Sequence, residues 1–520
     1  MQNVLLEAFV RAKALLVTCM VAATMVVPVT MAAAVDDINT KKLRNAVTVS
    51  GILKHERVLQ RIAIRNDGTR ASGTPGFEAS AQYVKSQLRA AGYRVSEQVF
   101  EFPFFQELAP ATLSQISPTP ADYAPDVMEY SGSGDVTGPL VPTNDIVIPP
   151  TPGPSSTSGC EPSDFVPASA AVPAVALVQR GTCDFAVKAQ NAADAGYAAV
   201  VIFNEGQPGR DGELAGTLGA PTTTPVVGVD FATGSDLYRA TQAGPVQVHV
   251  TTSTFSETRL TKNVIANSRK GNPNQVLVVG AHLDSVLEGP GINDNGSGTA
   301  TILETAIQMS KLKIVPRQQV RFAFWGAEES GLLGSTHYVE TLSDANLQRI
   351  YANLNFDMLG SPNYVRFVYD GDASEDPTGE TTTPPGSAQI ETLFNDYFGK
   401  QGLATEPTAF DGRSDYGPFI DAGIPAGGLF SGAEGIKTVE EAAIYGGTAG
   451  APYDRCYHQA CDTVNNLSTK ALFELGDAVA HSVQTLAQSK TGFFEDGSGI
   501  AARQAVAAKS FDYKGNHLVR

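Results

Sequence analysis

The sequence predicts an α/β chain, a mainly parallel twisted sheet flanked by helices with a smaller unit inserted into it. Three observations predict this. Short apolar runs (Val276-Leu277-Val278-Val279, Ala323-Phe324-Trp325, Leu354-Asn355-Phe356) alternate with helix-period stretches over 298–312, 332–342, 387–400 and 469–488. Each run stops against glycine, histidine or an acidic residue, as strands do where they face the crevice of an open sheet. Between 118 and 167 the composition shifts to Pro, Ser, Thr and Gly, and the main pattern resumes only at Asn263-Val264-Ile265-Ala266.

The chain of 520 residues is 42% hydrophobic and 18% charged, a globular composition with room for two or three domains. A net charge of -17 argues against nucleic acid and anionic membrane as partners, because the average surface repels both. Residues 1–34 read as an export signal: Arg11 and Lys13 precede an apolar run, and Ala32-Ala33-Ala34 offers a small-residue cleavage site. A membrane anchor is the weaker reading, since Thr18, Thr24 and Pro28 interrupt a run already short for a bilayer. The mature protein is therefore expected outside the cell and free of the membrane; separately, it is expected to be a monomer. Removal of the signal takes Cys19 and leaves Cys160, Cys183, Cys456 and Cys461. An even count in an exported chain suggests disulfides; Cys160 with Cys183 and Cys456 with Cys461 is the shorter-loop pairing of the three possible. A four-thiolate zinc site lacks the paired spacing it would need.

In chain order, residues 52–64 and 76–91 have helical periodicity, the second ending at Gly92, and 94–105 alternate toward a strand. These elements begin a domain that is then interrupted. After the Pro-rich stretch come Val175-Ala176-Leu177-Val178, an Ala-rich helix over 185–195, and a strand over 198–202. Here Arg180-Gly181-Thr182-Cys183 and Val200-Val201-Ile202 resemble the protease-associated domain, which the family uses as a lid or gate; an inert spacer is the alternative. The expected plan is signal 1–34, first part of the main domain 35–129, protease-associated domain 130–250, main domain 251–490 and C-terminal extension 491–520.

Chemistry gathers at the predicted strand ends. His282 and Asp284 follow the first run, Asp294 lies in the Gly-rich turn before the helix, Glu328 and Glu329 follow Trp325, and Asp357 follows Phe356. Tyr457 and His458 stand between Cys456 and Cys461. Two imidazoles and three carboxylates (His282, Asp294, Glu329, Asp357, His458) suit two zinc ions sharing one bridging carboxylate. A Glu-Glu pair is often only a solvated helix start. Buried in one crevice, however, four carboxylates cannot all ionise without cations.

The pieces AHLDS, GINDNGSG, FWGAEESGLLGS, NLNFDMLGS, GRSDYGPF, PAGGLF and CYHQACD, in that order, resemble the secreted bacterial leucine aminopeptidases of the dinuclear zinc class. The resemblance implies the zinc exopeptidase fold, peptide substrates with a free N-terminus, and a hydrophobic first residue. It implies one zinc on His282 and Asp357, the other on Glu329 and His458, and Asp294 between them. Glu328 is then the general base, Tyr457 the donor to the oxyanion, and Asp284 the acceptor of the second ring proton of His282. The Asp294-Asn295 peptide is expected to be cis. Met358 and Phe430 would line the first-residue pocket, and Arg413 would offer its carbonyl to the substrate ammonium or anchor its loop.

Rival classes are weighed on single features. A metal-free binding module of this fold would be expected to lose ligands, and all five positions are filled. A glutaminyl cyclase needs a single zinc. A carboxypeptidase needs a cation for the substrate carboxylate, and Arg413 is the lone candidate.

Overall fold

The computed structural model describes residues 38–169, 171–374 and 383–489, and beyond them a small antiparallel pairing of Tyr513–Lys514 with His517–Leu518. The export segment expected over 1–34 and most of the extension over 491–520 lie outside the described residues.

The architecture is the α/β arrangement expected. Its centre is the strand Asn272–His282, paired in parallel with Gln318–Trp325 on one side and Ile350–Phe356 on the other. Ala426–Phe430 extends the parallel set beyond Ile350–Phe356. Buried on both faces, these strands are almost continuously apolar, which is why they are legible as runs rather than alternations. Three of them end at His282, Trp325 and Phe356, where the apolar runs stop.

Helices cover the sheet. Gly298–Lys311 and Thr469–Gln488 pack their apolar faces into one core cluster with Leu277, Val279, Phe322 and Leu354. Thr74 caps the helix Pro75–Ala90 through the N–H of Phe77, with proline at its first position. Gly298 is required by space: a Cβ there would meet the carbonyl oxygen of Phe356 at 2.2 Å, so the helix start presses directly on a strand end.

One element exceeds the expectation. The strand predicted over 94–105 runs as Arg94–Ser117, pairing along its length with Gln247–Asn267. This ribbon joins two sheet regions. Val264 to Asn267 pair with Gln318–Trp325 of the main sheet, while Gln247 to Thr252 pair with Gly134–Pro142. From there Val175–Gln179, Ala199–Phe203 and Val226–Val229 continue in parallel, with the helices Phe185–Asp194 and Phe231–Ala243 beside them. The inserted unit has its own apolar clusters, one around Val178, Phe185 and Ile202 and another around Leu177, Val201 and Leu237. Both disulfides pair as expected, Cys160 with Cys183 and Cys456 with Cys461. Among the described residues no helix is long and apolar enough to cross a membrane.

Candidate metal centre

Three strand ends, one turn and one loop converge at the carboxyl edge of the sheet. His282 closes its strand opposite Trp325. Beyond Trp325 the chain turns through Ala327 at φ 53° and presents Glu328 and Glu329. Asp357 directly follows Ile350–Phe356. Asp294 sits in the turn Ile292–Ser297 and its peptide bond to Asn295 is cis, as the resemblance implies. His458 arrives from the far end of the chain at φ 56°, inside the loop that the Cys456–Cys461 bond closes.

His282 Nε2 lies 3.1 Å from Asp294 Oδ1 and 3.3 Å from Asp357 Oδ1. His458 Nε2 lies 3.2 Å from Asp294 Oδ2 and 3.1 Å from Glu329 Oε2. The two oxygens of Asp294 thus face different imidazoles. A ring nitrogen carries at most one proton, yet His282 Nε2 faces two carboxylates and hydrogen-bonds neither. Donor atoms about 2.0–2.1 Å from a tetrahedral cation lie about 3.3 Å from one another, the spacing found here. The donor set of nitrogen and oxygen therefore fits a divalent transition metal. His282, Asp294 and Glu329 form one such group, and His282, Glu328 and Asp357 a second. Within the second, Glu328 Oε2 stands 3.8 Å from His282 Nε2, farther than either aspartate.

The electrostatics are those of a cation site. Burial alone would lower the basicity of His282, but the charges of Glu328 and Asp357 overcome it and hold the ring well above its ordinary value. His458 is treated the same way by burial, Glu329 and Asp294, and is raised to about 10. Burial pushes the Glu328 carboxyl well above the usual carboxylate range, Asp415 and Asp357 adding to the push and His282 opposing it.

Several positioning residues were not singled out from sequence. Both backbone N–H groups of Asn293 and Asp294 donate to the Asp462 carboxylate, at 2.8 and 3.0 Å. The Asn295 side chain accepts from Met358 N and donates to the Phe356 carbonyl, tying the turn to the strand end. Ser414 donates to Asp357 Oδ2 at 2.6 Å. Asp415, fully buried, is raised to about 8, first by burial. The buried Arg70 guanidinium donates to the carbonyls of Leu283, Pro290 and Gly291, clamping the loop between His282 and Asp294. These residues sit inside the quoted motifs or the N-terminal helical region, but nothing in their spacing distinguishes a buried polar brace from an ordinary loop residue. For Asp284 the structure differs from the expectation: His282 Nδ1 meets its backbone carbonyl at 3.2 Å, whereas its carboxylate accepts the N–H of Glu328. The tight turn after the strand brings the carbonyl nearer to the ring than the carboxylate, whose Oδ1 is 3.8 Å away.

A pocket of about 60 Å³ opens on the cluster, lined by Met358, Tyr369, Arg413, Phe430 and Tyr457 together with Asp294 and Asp357. The Arg413 guanidinium is paired with Glu434 at 2.6 Å and donates to the Tyr457 hydroxyl at 3.4 Å. The Tyr457 ring stacks on that of His458 with centroids 3.9 Å apart.

An aminopeptidase of Pseudomonas aeruginosa is 44% identical over 467 residues, covering 89% of this chain and 85% of that protein. The family model for M28 peptidases matches residues 263–483, the part that carries every converging residue of the cluster. The chain belongs to peptidase family M28. The PA domain model matches residues 136–237, the inserted unit. A probable leucine aminopeptidase 2 of Trichophyton verrucosum is 36% identical over 87% of this chain and 86% of its own. An aminopeptidase structure from Aneurinibacillus sp. strain AM-1 superimposes with a TM-score of 0.69 at 25% identity, over 87% of this chain and 97% of that one. The expected α/β fold with an inserted PA domain and the expected class, an aminopeptidase, agree with M28 membership and these relatives.

Proposed function

We propose that this M28 chain is an exported, monomeric aminopeptidase that removes a large hydrophobic N-terminal residue, such as leucine, from peptides by means of two zinc ions. The observation that carries the reading is the division of the Asp294 oxygens between His282 and His458, which makes it a bridge between two half-sites. His282 and Asp357 would hold one ion and Glu329 and His458 the other. Bound there, the ions would supply Lewis acidity at the scissile carbonyl and an acidified water.

The chain's own residues do the rest. Glu328, buried, raised in basicity and farther from His282 than the aspartates, accepts the proton of the attacking water and returns it to the departing nitrogen. The Tyr457 hydroxyl, facing the same pocket, donates a hydrogen bond to the carbonyl oxygen as negative charge develops. Met358 and Phe430 offer an apolar wall to the first side chain. The substrate ammonium is met by Glu328, Asp357 and the carbonyl of Arg413. The Arg413 side chain serves as an anchor on Glu434, which argues against a carboxylate-binding role. In this plan 1–34 is the export signal, 130–250 the PA domain inserted between 35–129 and 251–490, and 491–520 an extension.

The test is hydrolysis of leucine p-nitroanilide against its N-acetylated form in the presence of zinc. Only the free amine should react. Equal rates on both, or hydrolysis of the acetylated form alone, would remove the aminopeptidase assignment.

A further inference from the structure

Beside the first-residue pocket lies a second cavity of about 260 Å³. Glu329 and Asp284 line it, while Asp294 and Asp357 line the first, and Glu329 and Asp294 lie within 3.2 Å of the same His458 nitrogen. The two cavities therefore meet at one cluster. In an exopeptidase the remainder of the peptide must leave across the centre from the first-residue pocket, and the second cavity offers space on the other side of it.

Its chemistry is specific. Phe102, Phe104, Phe105 and Leu287 provide an apolar bed. Glu107, Glu129 and Glu288 surround that bed; among the described residues no lysine or arginine lines the cavity, and the Arg259 guanidinium that lies 3.4 Å from the Phe104 ring centre is itself paired with Glu257. The negative charge is concentrated: burial first, then the charges of Asp126 and Glu288, hold Glu107 above the usual carboxylate range, and Asp126 is raised by burial and by Glu213. Asp284, 1% exposed, lines the same cavity with an Oδ2 that has no hydrogen-bond partner. Val127, Ala215 and Gly216 form the far wall. Ala215 and Gly216 belong to the PA match, and Val127 pairs with Val227 of the same unit.

We infer that this cavity binds the peptide beyond the scissile bond and selects a lysine or arginine side chain there, with the PA domain supplying its outer wall. The aliphatic stem of such a side chain lies on the aromatic bed while its head meets the carboxylates. The same charges repel acidic residues and the free carboxylate of a dipeptide. The inference rests on the proposed aminopeptidase activity.

Leucyl-lysyl-alanyl-alaninamide and leucyl-glutamyl-alanyl-alaninamide, assayed on one zinc-loaded preparation, test it. The ratio of their kcat/KM values should favour lysine by about tenfold and shrink as salt is raised. The double variant Glu107→Gln with Glu288→Gln should bring the ratio toward one; a ratio cancels any loss of folded enzyme. A wild-type ratio near one, or a ratio that the double variant leaves unmoved, would overturn the assignment. Failure of the wild-type enzyme on leucine p-nitroanilide would instead overturn the aminopeptidase reading, and this inference with it.

Discussion

His282 and His458 bring the same kind of donor to the same cluster by different means. His282 ends a strand paired on both sides, is 1% exposed, and has its second nitrogen against the Asp284 carbonyl. His458 sits on a loop in the left-handed region, its side chain 27% exposed, braced by a disulfide that spans a separation of 5 residues and by stacking on Tyr457. One half of the centre is built into the core of the domain; the other is attached to it. The sheet half should therefore hold its ion as long as the domain is folded, whereas the loop half should depend on local braces.

Complete removal of metal gives the largest effect expected. Chelation should abolish hydrolysis and lower the melting temperature together, because Asp294, Glu329 and Asp357 lose the cations that offset their mutual repulsion. About two equivalents of zinc per chain should restore activity, the first binding more tightly than the second. Two equivalents of indistinguishable affinity by calorimetry would break the contrast between the halves.

Next comes the pair Glu328 and Glu329, neighbours in sequence with different proposed tasks. Glu328→Gln should keep its zinc and lose at least roughly 100-fold in kcat. Glu329→Gln should first lose zinc from the loop half and recover partly in excess metal. Zinc content measured beside kinetics decides it, and the reverse pattern would exchange the two roles.

Asp462 lies on the loop side yet holds the backbone of Asp294, which faces both imidazoles. Asp462→Ala should weaken both ions by roughly 10- to 100-fold in affinity, as loss of a residue that orients a ligand does. A defect confined to one ion by competition with a chelating dye would show that the two halves are coupled less closely than the shared carboxylate implies.

The smallest effect should come from the disulfides. Replacing Cys456 and Cys461 by serine should release the ion of the loop half by about tenfold while moving the melting temperature by only a few degrees. The same change at Cys160 and Cys183, inside the PA unit, should leave zinc content unaltered. If both pairs behaved alike, the loop disulfide would be a general staple and not a support for His458.

The strand ends at His282, Trp325 and Phe356 and the helices Ser387–Lys400 and Thr469–Gln488 were legible as read, because burial of a whole element writes an apolar run or a 3.6-residue period into it. The full reach of Arg94–Ser117 was not. Its ribbon portion is exposed at consecutive residues over 107–110 and contains Pro103 and Pro110, so it carries neither a continuous run nor an unbroken alternation. The residue types that converge were legible through motif and spacing. Their braces, Asp462, Ser414, Asp415 and Arg70, were not, because a polar residue reads the same in sequence whether it is solvated or buried against a backbone.

The sequence by itself determined which residue types lie at which strand ends, since apolar periodicity and side-chain chemistry are local properties of the chain, and its ordered motifs carried the resemblance to the dinuclear zinc aminopeptidases. Tertiary structure alone decided that Asp294 turns one oxygen to each imidazole, that the carbonyl rather than the carboxylate of Asp284 meets His282, and that the PA unit closes an acidic cavity beside Glu329. Those outcomes depend on distances between groups remote in sequence. They arise only when the sheet, the ribbon and the disulfide loop are packed together, and burial then gives each charge a strength that no local pattern encodes.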